Sequence, residues 1–260
     1  MRTARARLGV AATLALAGLL VGCSEDPPER AATITADEDA GAGAEDDGAA
    51  SDESETPITD DAAARVLTDK QARAALPGVA GMPSGWSVDP ENTLGDDGDD
   101  SDDEDDTTTP AKCEELFDAL DEANDDDPVG SAEVTFTQGG FGPFLGIEVS
   151  SFEDEVDDNS LGRALDVLGQ CPEFTVNTND GEAPTTYKFS PLSFANLGEE
   201  TAAFRMTFES EGFAFSSDFA IVRVGHNLVT GSTAAIGGGR VEATVLEKQM
   251  RGTLKRLSDS

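Results

Sequence analysis

Few side chains in this sequence have the type and spacing for chemistry, and those few point to anchoring and stapling before catalysis. The cysteines are Cys23, Cys113 and Cys171. Cys23 closes the run Leu20-Val21-Gly22-Cys23. That is the pattern of a bacterial lipobox, in which the thiol receives a diacylglycerol and the leader is cut just before it. An ordinary secretory leader with a Cys near its cleavage site is the plainer alternative. Cys113 and Cys171 remain as a lone pair, and a lone pair in an exported protein reads as a disulfide. No Cys-x-x-Cys is present, so redox catalysis has no centre.

His226 is the single imidazole. One His excludes a multi-His metal centre within the chain, and a turn position suits it better than a catalytic role. The nucleophile elbow Gly-x-Ser-x-Gly is missing. Carboxylates are so abundant that no pair stands out as a glycosidase pair. The reading therefore implies no cofactor, no metal and no catalytic residue.

Two glycine-rich stretches invite binding. Gly237-Gly238-Gly239-Arg240 precedes a helix and offers either free N–H groups to an anion or a plain strand-to-helix connection. Gly139-Gly140-Phe141-Gly142-Pro143-Phe144 lies between strands. Phe141 and Phe144 are candidates to rim an apolar pocket, or else their rings cap the core.

Charge narrows the partners. Acidic residues number 53 against 17 basic ones, for a net charge of −36. That repels nucleic acid and disfavours an anionic-lipid surface reader. The densest run, Asp96 to Asp106, lacks the central Gly, closing Glu and flanking helices of a calcium loop. It reads as a solvated acidic loop inserted in the domain, with weak divalent-cation binding as the lesser alternative. Like charges contribute no core, so its deletion is expected to leave the fold and melting temperature nearly unchanged.

These residues sit in a chain of three parts. Residues 1–22 carry Arg2, Arg5 and Arg7, then a 13-residue apolar run from Leu8 to Leu20, which is a lipoprotein signal peptide. Residues 23–65 hold Ala, Gly, Ser, Thr, Pro, Asp and Glu with two large aliphatics, Ile34 and Ile58, before Val66. Such a segment buries too little apolar surface to offset ordering and reads as a disordered acidic tether. As a flexible chain it reaches roughly 35 Å, further when stretched by its own charge. Residues 66–260 form a single α+β domain.

Within it, Thr68 and Gln71 fit a capping box. Thr109-Pro110 opens a helix with Cys113, Leu116, Phe117 and Leu120 on one face. Asn159-Ser160 caps a second helix, with Leu161, Ala164, Leu165 and Leu168 on its face. Alternating runs at 132–137, 145–153, 173–177, 185–189, 202–208, 213–221 and 228–233 read as strands, the last two joined by a hairpin at Gly225-His226. A closing helix, 240–257, offers Leu246, Met250, Leu254 and Leu257. Strands in runs, with helices before, between and after, give an antiparallel sheet flanked by helices. A Cys113–Cys171 bond would staple two of those helices over the sheet.

The order of these parts resembles a known domain. Leu67-Thr68, Ala74-Ala75-Leu76-Pro77 and Met82-Pro83-Ser84-Gly85-Trp86 come first. The Cys-initiated helix, the strand Gly146-Ile147-Glu148-Val149-Ser150-Ser151-Phe152 and Leu168-Gly169-Gln170-Cys171-Pro172 follow. The hairpin and the C-terminal helix close the chain. Over residues 66–258 the chain resembles the extracellular sensor-type domain of actinobacterial receptor Ser/Thr kinases of the PknH kind, a domain also found in stand-alone lipoproteins. The resemblance implies a helix-flanked antiparallel sheet with a cleft for an unidentified ligand, and no catalytic residues. The chain departs from the family in having one disulfide rather than several, and in the acidic insertion.

The expected protein is a monomer on the extracytoplasmic face of the cell membrane. It is held there by lipid on Cys23 and binds a small ligand or an envelope protein. A structural or assembly factor acting through protein contacts is the alternative, and a hydrolase with a carboxylate pair the third.

Overall fold

The structure is a computed structural model. It describes residues 64–89, 107–123, 127–140, 142–177, 183–210, 213–236 and 240–259. Cys23, the leader, the tether before residue 64, the run 96–106, Phe141 and the glycines at 237–239 lie outside the described residues.

The strands are β1 (Ser87–Val88), β2 (Thr107–Thr109), β3 (Gly130–Thr137), β4 (Phe144–Ser151), β5 (Glu173–Asn177), β6 (Thr185–Pro191), β7 (Glu200–Ser210), β8 (Phe213–Val224) and β9 (Asn227–Ile236). They form one nine-stranded antiparallel sheet in the order β1-β3-β4-β9-β8-β7-β6-β5-β2. The helices are α1 (Asp69–Ala75), α2 (Ala111–Ala123), α3 (Ser160–Gln170) and α4 (Ala243–Asp259).

Register decides which side chains share a face, because successive residues of a strand point to opposite sides. Across β3, β4, β9 and β8 one row reads Ala132, Val149, Val229, Val222, and the next reads Val134, Ile147, Gly231, Ala220. This face is apolar and carries α1 and α4. Leu246, Met250, Leu254 and Leu257 of α4 are fully buried in one core with Phe136, Leu145, Ile147, Val149 and Val222. Gly231 lets the helix come close, since a Cβ there would stand 2.7 Å from Leu246 and 2.8 Å from Met250. The capping box at Thr68 and Gln71 starts α1, and Arg256 of α4 donates to the Ala75 carbonyl at its end, 2.7 Å. Burial pulls the Arg256 guanidinium below its ordinary pKa.

On the other half of the sheet the same face turns polar. Arg205 and Asp218 pair there through two hydrogen bonds, one of 2.6 Å between Nη2 and Oδ2. The hydrogen bond that Arg205 donates to the Asp218 carboxylate, ahead of the cost of burial, raises the Arg205 pKa. The apolar surface of this half is on the opposite face, where α3 packs against β7. Cys113, in the first turn of α2, is bonded to Cys171 just past α3, with 5.7 Å between the Cα atoms. The expected staple therefore joins α2 to α3.

Two expectations change. Asn159 precedes α3 at a left-handed φ of 69° and its side chain makes no capping bond. A carboxylate from β7 serves instead. The acidic run also has a different standing. It belongs to the link from β1, at one edge of the sheet, to β2, at the other. A surface loop can be shortened freely, but a link between opposite edges has a minimum length.

Candidate binding face

The face that carries α3 is built from three rows crossing the sheet. Phe174, Tyr187, Phe208 and Phe215 are paired in register across β5, β6, β7 and β8. Phe189 and Met206 begin the second row, which continues through Ser217 and Ala234 to Phe144. The third runs Pro191, Phe204, Phe219, Ser232, Gly146 and Thr135. Seven rings thus form a continuous ladder. Phe208 stacks on Phe215 at 4.7 Å and 6°, Tyr187 meets Phe208 at 5.1 Å, and Phe174 stacks on Tyr187 at 5.3 Å. Phe189 bridges Phe174 and Phe204 at 5.7 and 5.8 Å, and Phe204 stacks on Phe219 at 5.2 Å. Each such contact contributes about 0.5–1.5 kcal/mol beyond area burial.

All seven rings are only half-buried. The apolar row of α3 is no better covered: Leu161 is buried, while Ala164, Leu165 and Leu168 are half-buried. The core-side helix α4 buries its whole stripe. Two amphipathic layers of the same sheet therefore differ in kind. One is sealed by packing. The other is held by the disulfide and by a charge cluster, and keeps apolar surface in reach of water.

That cluster sits at the start of α3. Glu200 of β7 accepts from Gly162 N at 2.7 Å and Leu161 N at 3.4 Å, filling the positive end of the helix with an internal anion. Arg223 of β8 contacts Glu199 at 2.6 Å, Asp158 at 3.0 Å and Glu200 at 3.5 Å. With three carboxylates on one guanidinium, the site has no capacity for an external anion. Gly162 is required beneath Asn159, whose Oδ1 would lie 2.4 Å from an added Cβ.

Towards β3 the same face becomes polar. Glu133, Thr135, Gly146, Glu148, Thr230 and Ser232 line a shallow depression of about 40 Å³. Glu133 and Glu148 are directly opposite each other across β3 and β4, and Ser150 Oγ donates to Glu148 at 2.6 Å. Two carboxylates side by side are the feature a hydrolase reading asks for. The depression is far below the several hundred ångström cubed that enclose a small ligand, and among the described residues no aromatic ring lines it to stack a sugar.

Among the residues singled out in the sequence, Phe144 is buried, and its ring lies under Gly142, 2.8 Å from where a Cβ would stand. His226 occupies the β8–β9 turn after Gly225. Its N–H donates to the Ala64 carbonyl at 3.1 Å and its own carbonyl accepts from Phe152 N at 2.9 Å. Among the described residues, His226 Nδ1 is buried without a hydrogen-bond partner. Among the described residues no group of three His, Cys, Asp or Glu is disposed to hold a metal. No described helix is long and apolar enough to cross a membrane. Sequence reading missed the ladder and Glu200. The ring positions Tyr187 and Phe189 are two apart and Phe204 and Phe208 four apart, even spacings that keep each pair on one face, and that period was a usable signal. The role of Glu200 depends on a partner 38 residues away and had none.

Fold and face together define an α+β domain on one antiparallel sheet, sealed by helices on one face and loosely covered on the other. No family model matches the chain, and no curated protein does. Among solved structures it is similar to the extracellular domain of PknH from Mycobacterium tuberculosis, at 11% identity and a TM-score of 0.49, covering 76% of this chain and 100% of that one. It is also similar to an Rv0999 ortholog from Mycobacterium smegmatis, at 9% identity and a TM-score of 0.41, covering 74% of this chain and 97% of that one.

Proposed function

We propose that the protein is a lipoprotein, anchored through Cys23 on the extracytoplasmic face of the cell membrane, whose domain binds a ligand or an envelope protein and catalyses nothing. The observation that supports a binding role is the half-buried ring ladder beneath an equally half-buried α3. Apolar surface left accessible under a covalently stapled helix pair costs stability without serving the core. A partner that covers it recovers that free energy.

Two readings of the partner remain. A small apolar ligand would slide between α3 and the rings. An envelope protein would use the face as a flat contact. The shallowness of the one depression described on this face favours the second.

Native mass spectrometry of protein taken from its own envelope tests the reading, alongside chemical crosslinking in intact cells. A retained adduct, or a crosslinked envelope partner, supports it. Loss of that signal in Phe204→Ser with the fold intact assigns it to this face. An adduct-free protein with no crosslinked partner overturns it. The anchor is tested separately: Cys23→Ser should leave the detergent phase in a phase split, and a variant as membrane-bound as wild type would sink the lipobox reading.

A further inference from the structure

The two helical layers of the sheet differ in charge as well as in sealing. Helices α1 and α4, on the sealed side, carry six basic residues against three acids. Helices α2 and α3, with the link 153–159 that leads into α3, carry eleven acids against Lys112 and Arg163. Arg163 is itself paired with Asp157 at 2.8 Å. A charged molecule approaching the domain is therefore sorted by side. A cation is drawn to the face with the ladder, and an anion is kept from it.

The helices of the acidic layer rest on β2 and β7. Beside them the sheet is surfaced by small residues, Gly146, Thr230 and Ser232, which form the floor of the shallow depression. At its β3 end Glu133 and Glu148 stand directly opposite each other, and like charges in that position destabilise a sheet. Their row continues through Thr230, Ile221 and Ala202 and holds no basic residue. Arg223, in the next row of this face, is committed to Glu199, Asp158 and Glu200. At the β8 end the floor meets Phe219 and Ile221, both half-buried. By strand spacing and rise Phe219 is about 12 Å from Glu148, close to two turns of an α-helix. Ring orientation narrows what the ladder accepts. Phe208 and Phe215 are stacked at 6°, and Phe204 and Phe219 at 21°. Stacked rings turn their faces to each other and leave their electropositive edges for a partner. Edges suit aliphatic side chains, and not a sugar or a cation that needs a ring face.

We propose that this face takes a cationic amphipathic helix of an envelope protein, an assignment that rests on its being a binding face. One lysine or arginine enters the depression at Glu133 and Glu148, and aliphatic side chains two turns away cover Ile221, Phe219 and Phe204. The depression is too small for a separate molecule and takes the head of one side chain. The incoming cation relieves the like-charge pair, and the aliphatic row covers the apolar surface left open on the rings. A second copy of this chain is a rival occupant. Its α4 brings the exposed Lys248 and Lys255 but keeps its apolar row buried, so it has nothing to lay on the rings. A neutral acyl chain is the other rival, and it leaves the carboxylate pair unrelieved.

The test titrates the chain from Ser24 onward, labelled for amide NMR, with a synthetic Leu/Lys helix whose leucines form one face. A scrambled peptide of the same composition and a Leu/Glu counterpart are the controls. The Leu/Lys helix should shift amides of Glu133, Glu148, Phe204 and Phe219 and leave those of α4 in place, with an affinity that falls as salt is added. The scrambled peptide reports attraction by charge alone to an acidic chain, and should bind about tenfold more weakly. Glu133→Gln with Glu148→Gln should lower the affinity of the Leu/Lys helix about tenfold while holding or raising the melting temperature, because the like-charge pair is gone. Phe204→Ser should remove the shifts at the rings. Equal binding by the scrambled peptide, or a double variant that binds like wild type, overturns the proposal. Ring shifts produced by the Leu/Glu helix or by monolaurin, but not by the Leu/Lys helix, overturn it and leave the binding face standing. Rings that shift with none of these probes remove both. Self-association on gel filtration that the double variant abolishes gives the face to a second copy and overturns the envelope partner.

Discussion

Deleting residues 96–106 should destabilise the domain, although the segment is nothing but nine acids, Gly98 and Ser101. The reason is the distance between the elements it joins. Strands β1 and β2 are at opposite edges of a nine-stranded sheet. Eight inter-strand steps at ~4.8 Å set them about 38 Å apart along the sheet. The link from Asp89 to Thr107 has 17 residues between, enough for about 63 Å extended. After the deletion residues 90–95 remain, and seven Cα steps reach about 25 Å. The link must also clear the side chains it passes over. It cannot close, and one edge strand has to let go.

The weaker edge is β2. It pairs with β5 over three residues. Asn177 Nδ2 adds bonds to Thr107 O at 3.1 Å and Thr109 Oγ1 at 3.3 Å, and Thr108 N donates to Glu114 at 3.1 Å. At a net ~1 kcal/mol each, losing most of these costs about 3–5 kcal/mol. For a domain of this size that lowers Tm by roughly 10 °C. Calorimetry reads the shift, and hydrogen exchange at Thr107–Thr109 and Thr175 localises it. The control keeps length and removes charge: every acid in 96–106 replaced by Ser or Gly should leave Tm unchanged or slightly raised, because self-repulsion falls. A deletion that melts like wild type, with β2 still protected, would refute the reasoning and return the run to a dispensable loop.

Other substitutions probe the two layers. Cys113→Ala with Cys171→Ala opens a loop whose ends are 58 residues apart and should cost on the order of 4 kcal/mol in the chain-entropy account, read as a lower Tm; thiol titration of unfolded, unreduced protein from Ser24 onward should find no free thiol, and two would remove the staple. Gly130→Ala should be worse than Gly231→Ala by denaturant midpoint, because its Cβ would stand 2.3 Å from the Leu67 carbonyl, a backbone atom, whereas the Gly231 Cβ meets side chains; about 1–3 kcal/mol is expected at Gly231, and the reverse order would contradict the packing described. Glu200→Ala uncaps α3 and should cost about 1–2 kcal/mol, with early loss of exchange protection at Leu161 and Gly162 and none in α4; uniform loss would show that the carboxylate does not act on α3.

Much of this architecture was legible in the sequence, for local reasons. The closing helix was read from Leu246, Met250, Leu254 and Leu257, all of which are fully buried, because their spacing repeats the helical period. The hairpin at Gly225-His226 was visible in its turn residues, and Gly225 takes the positive φ of 56° expected of such a turn. The disulfide followed from cysteine arithmetic. Strand order was not legible, since it depends on which rows match across distant segments. Ser87–Val88 and Thr107–Thr109 are too short to show a period, and they are the strands that set the two edges. Thr107–Thr109 also lies directly after the acidic run, so composition marked the region as loop. Asn159 was read as a cap because its residue type fits. The tertiary partner Glu200 took that role and left Asn159 in the left-handed region, which Asn tolerates.

The disulfide and the ring ladder belong to one physical argument. A helix layer can be held by burying its apolar row, as α4 does with Leu246, Met250, Leu254 and Leu257 at no exposure. That solution removes the surface from any further use. The layer of α2 and α3 takes the other route. It is held by the Cys113–Cys171 bond and by Glu200 and Arg223 at the opposite end of α3. Both fastenings lie at helix ends, and neither requires the rows between them to be sealed. Leu165, Leu168 and seven rings are left half-buried between two fixed points. A covalent bond stabilises chiefly by limiting the unfolded chain, so the layer can be secured without closing the face. Fastened ends over an open middle are what a binding face needs if it is to accept a partner without unfolding.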